Sequence, residues 1–181
     1  RWSPQNHVVS SLTRAERPTT FKQLRSFNGA VKQLSACVKD YAVLLHPLEK
    51  IIGSRGSSEK VVWTDDLEKA FKTVKKAIAN PEAIVIPRKD DRLVTSSDFS
   101  KQLGAVGGML LIIRKNKDGS ESKLLGGYFS VKLSDGRSLW FPCDGEALAT
   151  KLVLEAFAHY IRENENETLH LTDSMPVVMA W

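Results

Sequence analysis

The chain is poor in cysteine, has no long apolar run and lacks a secretory start, and each absence removes a class of protein. Its only two cysteines among 181 residues, Cys37 and Cys143, are too few and too far apart for a zinc site or a disulfide framework. The longest apolar run, Met109 to Ile113, is far too short to span a bilayer. The opening residues lack the apolar centre of a signal peptide, and a first residue other than methionine suggests excision from a longer chain. We therefore expect an intracellular protein, cytoplasmic or nuclear, with no membrane partner.

Length and charge set further bounds. A chain of 181 residues can bury one good core or two small units, which is too little for a complete polymerase. Residues 14–76 hold 13 Lys/Arg and 7 Asp/Glu, a net +6, whereas residues 144–173 hold 2 and 7, a net −5. This split suits a protein that grips a phosphate backbone with its first part and holds cations with its second. Two ordinary solvated surfaces would also give these counts.

The first half has the apolar spacing of helices. A helical pattern follows Pro18, with Thr20 and Gln23 placed as a capping box. A second helical pattern continues around Pro47. A third helix should begin near Asp65, because acidic residues favour the positive end of a helix, and should stop before the next proline. Its outer face carries a row of lysines: Lys69, Lys72, Lys75 and Lys76.

From Ala83 onward the pattern becomes strand-like. The runs are AIVI, RLVTSSD, GAVGGMLLIIR and KLLGGYFSVKL, and a turn at Asp118 and Gly119 predicts a hairpin between the last two. A longer helix is expected from about Asp144 to Arg162, with its apolar side formed by Ala147, Leu154, Phe157, Ala158 and Ile161. One more strand, TLHLTD, should then lie parallel to the first strand, beside it. The sequence thus predicts an α/β protein with a helical segment followed by a mixed sheet.

Three carboxylates fall at the ends of these predicted elements: Asp98 on the first strand, Glu146 at the helix start and Asp173 after the last strand. If the two strands are parallel neighbours, their aspartates emerge at one sheet edge and the helix can bring Glu146 over them. Two magnesium ions held roughly 4 Å apart by such carboxylates would activate a water and stabilise the leaving oxygen of a phosphodiester. Acidic residues also favour helix starts and strand ends for dipole and solubility reasons, so position alone leaves both explanations open.

The residues around these carboxylates resemble a known family. Asp98 lies in SDFS, Glu146 in GEALA and Asp173 in LTDS, which resemble the three acidic motifs of retroviral and retrotransposon RNase H domains. Integrases of the same fold family present two aspartates before the glutamate, so the order here favours RNase H. Upstream, the LRSF-G helix and the W-T-x-x-x-x-x-A-F helix start resemble the segment after the polymerase palm in Ty3/gypsy-like elements. The chain has no Tyr-x-Asp-Asp polymerase motif.

The resemblance implies a fragment of a Ty3/gypsy-like retroelement polyprotein. Residues 1–80 would be a helical reverse transcriptase thumb or connection segment, and residues 81–181 a C-terminally truncated RNase H-like domain. The parent activity would be endonucleolytic hydrolysis of RNA in RNA/DNA hybrids, with Mg²⁺ or Mn²⁺ held by the catalytic residues Asp98, Glu146 and Asp173. Further partners would be the remainder of the polyprotein and a template-primer duplex, bound through phosphates by Lys22, Arg25, Lys32, Lys72 and Lys76.

The first carboxylate departs from the family pattern. Family members usually show a Thr-Asp pair at the end of the first strand, but here Thr95 is followed by Ser96. Counting from Thr95 puts Ser96 at the catalytic position, whereas the family's Asp-x-Ser pattern selects Asp98 and Ser100. Ser96 and Asp98 share a strand face and differ by about 6 to 7 Å in position. Ser96 and the absence of a fourth acidic ligand favour the alternative, a non-catalytic nucleic-acid-binding or scaffold remnant with a degenerate site.

The histidines and the glycine pair do not form a pattern typical of a metal site or a phosphate-binding loop. The histidines show no ligand spacing and are expected on the surface or in the core: His7, His46, His159 and His170. The glycine pair in the second strand, Gly107 and Gly108, is expected to relieve crowding or to form a bulge and is not a phosphate loop.

Overall fold

A computed structural model describes residues 2–134, 141–174 and 177–178 of the protein. Four helices come first: α1 (Asn6–Arg14), α2 (Phe21–Lys32), α3 (Tyr41–Lys50) and α4 (Asp65–Ile78). Three strands, two helices and a fourth strand follow: β1 (Arg92–Ser100), β2 (Ala105–Lys115), β3 (Glu121–Lys132), α5 (Pro142–Ala156), α6 (Ala158–Glu163) and β4 (Leu169–Leu171). Among the described residues, no helix combines the length and apolarity that a membrane crossing needs.

The first half packs around its own apolar core. The Thr20 hydroxyl accepts the Gln23 backbone N–H and the Gln23 side chain accepts the Thr20 N–H, which confirms the predicted capping box. Leu24, Leu45 and Leu48 are fully buried in this core. The buried side of α4, formed by Phe71, Val74 and Ile78, belongs to the same core. Helix α1 is not evident in the sequence pattern because it buries a single residue fully, Leu12.

The sheet has the order β3-β2-β1-β4, and its first three strands are antiparallel neighbours. Strand β4 pairs with β1 in parallel, as the crossover argument predicts. The hairpin turn between β2 and β3 contains Gly119 at φ 83°, a left-handed conformation that favours glycine. The predicted α/β fold class, with three strands, a helix and a fourth strand in sequence, is therefore confirmed.

Two sequence-based element predictions are wrong. The AIVI run does not form a strand, because Ile84 makes only an isolated bridge to Trp2 and prolines lie on both sides of the run. The helix expected from Asp144 to Arg162 is broken at Phe157, which separates α5 from α6.

The buried side of α5 also differs from the prediction. Ala149, Val153 and Phe157 recur at four-residue intervals and form the contact with the sheet, whereas Ala147 is exposed. The difference arises because one face of the helix meets only the sheet, so a single line of side chains is buried and the remaining apolar residues lie beside it.

Strand β3 connects the sheet to the helical half. The Ala42 N–H donates to the buried Ser130 hydroxyl at 3.2 Å, and the Tyr128 hydroxyl donates to Glu82 at 2.6 Å. Burial and this hydrogen bond raise the pKa of Tyr128 to about 12, so the phenol keeps its proton and remains a donor. The predicted division into segments at residue 80 stays a prediction.

Candidate active site

Asp98 lies in the last third of β1, with its exposed side chain on the same face as the half-buried Ser96. The strand continues to Ser100, so Asp98 does not close it as the sequence suggested. In the parallel pairing of β1 with β4, Ser96 is level with Leu171. The pairing ends there, and Asp98 and Asp173 each follow the last paired residue of their own strand by two positions.

Glu146 reaches the same level of the sheet from the second turn of α5. Its Oε1 accepts a hydrogen bond from the Phe99 backbone N–H at 3.3 Å, next to Asp98 in the chain. Its Oε2 is buried and has no hydrogen-bond partner among the described residues. Burial raises the pKa of Glu146, and the negative charges of Asp173 and Asp98 raise it further. The three carboxylates therefore interact electrostatically around an oxygen that lacks a partner.

Two glycines allow α5 to approach the sheet this closely. A Cβ on Gly145 would lie 2.1 Å from ring carbons of Phe99, and a Cβ on Gly108 would lie 2.3 Å from Val153. Real contacts of a Cβ are never this short, so any other residue at either position would require the Phe99 or Val153 side chain, or α5 itself, to shift. The expectation that Gly108 relieves crowding fits this contact, while the register shift of the sheet falls at Leu110 and Leu111.

The residues present fit a hard divalent cation, although they do not complete a site by themselves. Within residues 2–134, 141–174 and 177–178, no three His, Cys, Asp or Glu side chains are grouped so that they could hold a metal ion. The donors at this edge are carboxylate oxygens, the ligands that magnesium prefers. A buried carboxylate oxygen without a donor is costly, and a cation at Glu146 Oε2 would remove that cost.

A cleft of about 480 Å³ opens beside Asp98, between the sheet and the helical half. Lys39 and Asp40 line one side, and Ser96, Asp98 and Met109 line the sheet side. Asp40 takes the left-handed conformation at φ 55°. Lys39 was not among the residues expected to bind nucleic acid, because nothing in its sequence context places it beside β1.

His170 is the other site feature that sequence spacing did not reveal. Its ring lies between β1 and α5, within hydrogen-bond distance of Thr95, Ser97 and Thr150. The His170 side chain is half-buried.

The five cations expected to bind a duplex are not equally available. Lys32 forms a salt bridge with Glu49, Lys72 forms one with Glu68, and Arg25 donates to the Arg55 carbonyl. Within the part of the chain that the structure describes, Lys22 and Lys76 form no salt bridge. Lys22 and Lys76 could therefore bind phosphates without first breaking an ion pair, and Arg25 would give up only its hydrogen bonds to neutral groups.

Comparison with known proteins agrees with the fold and with the motifs. Residues 63–168, more than half of the chain, match the family described as RNase H-like domain found in reverse transcriptase. The Tf2-3 and Tf2-4 transposon polyproteins of Schizosaccharomyces pombe (strain 972) are 23% identical to the chain over 172 residues. These matches cover 95% of this chain and 12% of each polyprotein, so the chain spans a small part of these relatives.

Solved structures show the same fold. The foamy viral protease-reverse transcriptase in complex with dsDNA superposes with a TM-score of 0.78 at 13% identity, over 99% of this chain and 36% of that chain. The complex of the foamy viral enzyme with an RNA/DNA hybrid gives a TM-score of 0.74 at 15% identity, over 96% and 22%. The resemblance inferred from the acidic and helical motifs is confirmed: the chain belongs to the family of RNase H-like domains found in reverse transcriptases and is a fragment of a retroelement polyprotein.

Proposed function

We propose that the chain carries an RNase H-type site that hydrolyses the RNA strand of RNA/DNA hybrids, with Mg²⁺ or Mn²⁺ held by Asp98, Glu146 and Asp173. The observation that carries the proposal is the buried Oε2 of Glu146, which lacks a hydrogen-bond partner among the described residues. Burial raises the pKa of this carboxyl, and the charges of Asp173 and Asp98 add to the shift. A buried carboxylate oxygen without a hydrogen-bond donor lowers the stability of the fold, but it is well suited to bind a divalent cation.

Each carboxylate has a distinct position in this proposal. Glu146 is anchored through Oε1 to the Phe99 N–H, which leaves Oε2 for a cation. Asp98 and Asp173 are exposed and so can meet both a cation and an incoming phosphodiester. When bound, magnesium would supply an activated water and stabilise the leaving oxygen. The three carboxylates would hold the cation in place, and a bound cation would reduce the repulsion among their negative charges.

The choice of a hybrid substrate has two supports. The cleft beside Asp98 is lined by Lys39, whose ammonium can pair with a phosphate near the carboxylates. The foamy viral enzyme, which shares the fold, has been solved in complex with an RNA/DNA hybrid. Phosphate contacts of this kind position a duplex without reading its sequence, so we propose cleavage without sequence preference.

The test is cleavage of an end-labelled RNA/DNA hybrid by the 181-residue chain in the presence of Mg²⁺ or Mn²⁺. Asp173→Asn is the matched control, because it removes one negative charge at an exposed position and leaves the core intact. We expect cleavage by the parent chain that requires the metal and disappears in the control. Cleavage that is equal in both proteins would come from a contaminating nuclease and would contradict the proposal.

A second candidate function is a non-catalytic nucleic-acid-binding or scaffold remnant. The observation that favours it is the absence, among the described residues, of three acidic or imidazole side chains grouped to hold a metal ion. A remnant would bind the hybrid with an affinity that falls as salt rises, and it would neither cleave the hybrid nor bind Mn²⁺ at Asp98, Glu146 and Asp173. The same cleavage assay, run beside a binding assay, therefore distinguishes the two functions.

The duplex contact makes a separate prediction about individual lysines. Lys22→Gln or Lys76→Gln should each weaken hybrid binding and reduce the slope of log K against log salt by about 1, because each removes one cation that binds a phosphate. Lys32→Gln is the control, since its ammonium is already paired with Glu49 and that ion pair raises its pKa. Fluorescence anisotropy at several salt concentrations measures the slopes. Equal slopes for the parent and the Lys22 and Lys76 variants would place the duplex elsewhere.

A further inference from the structure

Few interactions hold strand β4 in the sheet. It is three residues long, from Leu169 to Leu171, and within the described part of the chain it pairs with β1 alone. The side chains of Leu169 and Leu171 are 56% and 48% exposed, so they contribute little packing. The central residue, His170, is the only one of the three whose side chain is turned inward, toward α5. The ring is therefore the side chain that ties β4 itself to β1 and α5, while hydrogen bonds from Asn164 and Asn166 hold the loop before the strand.

The His170 ring contacts both neighbouring elements. Its Nδ1 lies 2.8 Å from the Thr95 hydroxyl, and its Nε2 lies 3.1 Å from the Ser97 hydroxyl of the same strand. Nε2 also lies 3.3 Å from the Thr150 hydroxyl of α5, which in turn is 3.3 Å from the Ser97 hydroxyl. Thr95 and Thr150 are fully or almost fully buried, at 0% and 2% exposure, so these hydrogen bonds are shielded from water.

Each contact lies close in the chain to one of the three carboxylates. Ser97 immediately precedes Asp98, and Thr150 lies one helical turn after Glu146. His170 itself lies three residues before Asp173. The cluster is thus the polar junction of β1, α5 and β4, the three elements that present the proposed ligands.

The same atoms do not form a hydrolytic nucleophile. The Ser97 hydroxyl and His170 Nε2 are close enough for a nucleophile and base, but Ser97 is only 9% exposed and lies beneath α5. The partner of Nδ1 is the neutral Thr95 hydroxyl, which cannot stabilise an imidazolium as a carboxylate would. Burial lowers the pKa of His170, so the ring is neutral, with one nitrogen donating and the other accepting.

We propose that His170 is a positioning residue of the metal site: by joining β4 to Ser97 and Thr150, it sets the position of Asp173 relative to Asp98 and Glu146. The inference rests on the proposed function, because it assigns His170 a role in that site. Groups that hold metal ligands in place without touching the metal typically change metal affinity by about 10- to 100-fold when removed. The Nε2 contacts are the ones that matter here, because they reach the neighbours of both other ligands.

The experiment measures Mn²⁺ binding by the full chain with electron paramagnetic resonance, which needs no cleavage activity. His170→Leu removes both ring nitrogens, and we expect it to weaken binding at least about tenfold. A glutamine places its terminal amide near the position of Nε2, so His170→Gln should recover most of the affinity. An asparagine reaches only the position of Nδ1 and Thr95, so His170→Asn should remain weak. This ranking of Gln above Asn is not expected from a loss of packing alone.

A destabilised control separates positioning from stability. Val31→Ala removes buried methyl groups from the helical core, far from β4, and should lower the melting temperature without changing Mn²⁺ affinity. If His170→Leu binds Mn²⁺ as tightly as the parent chain, or if Asn restores binding as well as Gln, the inference is wrong while the metal site stands. If the parent chain binds Mn²⁺ no better than Asp173→Asn, the proposed site itself fails, and the inference fails with it.

Discussion

Replacing Asp98 with asparagine is expected to lower metal-dependent hybrid cleavage by about 100-fold or more, whereas Ser96→Ala should leave the rate near that of the parent chain. The two positions share a strand face, but only Asp98 lies two residues beyond the last paired residue of β1, as Asp173 does beyond that of β4. Glu146, a proposed ligand, also favours Asp98 over Ser96, because its Oε1 accepts a hydrogen bond from the Phe99 N–H, one residue after Asp98.

This pair of variants resolves the ambiguity in the family motif. Asp98 is exposed, so its replacement should leave the melting temperature unchanged, and circular dichroism would verify that both variants fold. Mn²⁺ binding provides a second readout with the same expected ranking. A large loss in Ser96→Ala with little loss in Asp98→Asn would show that the site is built one pleat earlier and that Asp98 is a surface residue.

Replacing Asp91 with asparagine is expected to destabilise the fold by about 3 to 5 kcal/mol, because it removes the buried charge that pairs with the half-buried Arg114 guanidinium. Asp91 is 2% exposed and accepts two hydrogen bonds from the Arg114 guanidinium, at 2.8 and 2.6 Å. The Arg88 N–H donates a third hydrogen bond to the same carboxylate at 2.8 Å. Thermal unfolding should show a melting temperature lower by roughly 10 °C.

The control for this prediction is Glu49→Gln, which breaks the exposed salt bridge to Lys32 and should cost less than about 1 kcal/mol. The pH dependence provides a further check. Burial alone would raise the pKa of Asp91, but the hydrogen bonds from Arg114 and Arg88 hold it below its usual value. The stabilisation is therefore present above about pH 4, the pKa of an unfolded aspartate, and is lost as pH falls through the lower folded pKa. Equal stability of the parent and Asp91→Asn at neutral pH would contradict this account.

The loop that contains Asp91 also fixes where β1 and β4 begin. Asn164 donates to the Asp91 carbonyl at 2.9 Å, and Asn166 donates to the Asp90 carbonyl at 2.9 Å. These two asparagines come from the loop that precedes β4. The hydrogen bonds therefore tie together the starts of the two parallel strands whose far ends carry the aspartates. Destabilising this loop should therefore lower the stability of the fold and also change the position of Asp98 relative to Asp173.

Much of the architecture could be predicted because it follows from local rules. The capping box at Thr20 and the turn at Gly119 are determined by a few adjacent residues. The parallel pairing of β1 and β4 follows from the handedness of a crossover. The break at Phe157 could not be predicted in this way, because contacts with distant segments decide it. The AIVI run makes only an isolated bridge to Trp2 and one backbone hydrogen bond to Leu125, and its own sequence does not show that this pairing is too short for a strand.

The candidate site shows the same division. The motifs identified its three carboxylates. They could not decide between Ser96 and Asp98, because both side chains lie on the same face of β1, and the choice required the pairing of β1 with β4. The junction at His170 joins residues 75 and 20 positions apart, and no spacing rule connects them. The close approach of α5 also depends on Gly108 and Gly145 together, which lie on different elements.

A crystal of the chain soaked in Mn²⁺ and measured for anomalous scattering would show directly whether the Asp98, Glu146 and Asp173 carboxylates share divalent cations. We predict an anomalous peak bound by Glu146 Oε2, with Asp98 and Asp173 as the other protein ligands. Mutation of Asp173 to asparagine should remove or weaken the peak. A map in which Mn²⁺ is absent from this edge of the sheet, with Glu146 Oε2 hydrogen-bonded to protein or water instead, would contradict the account.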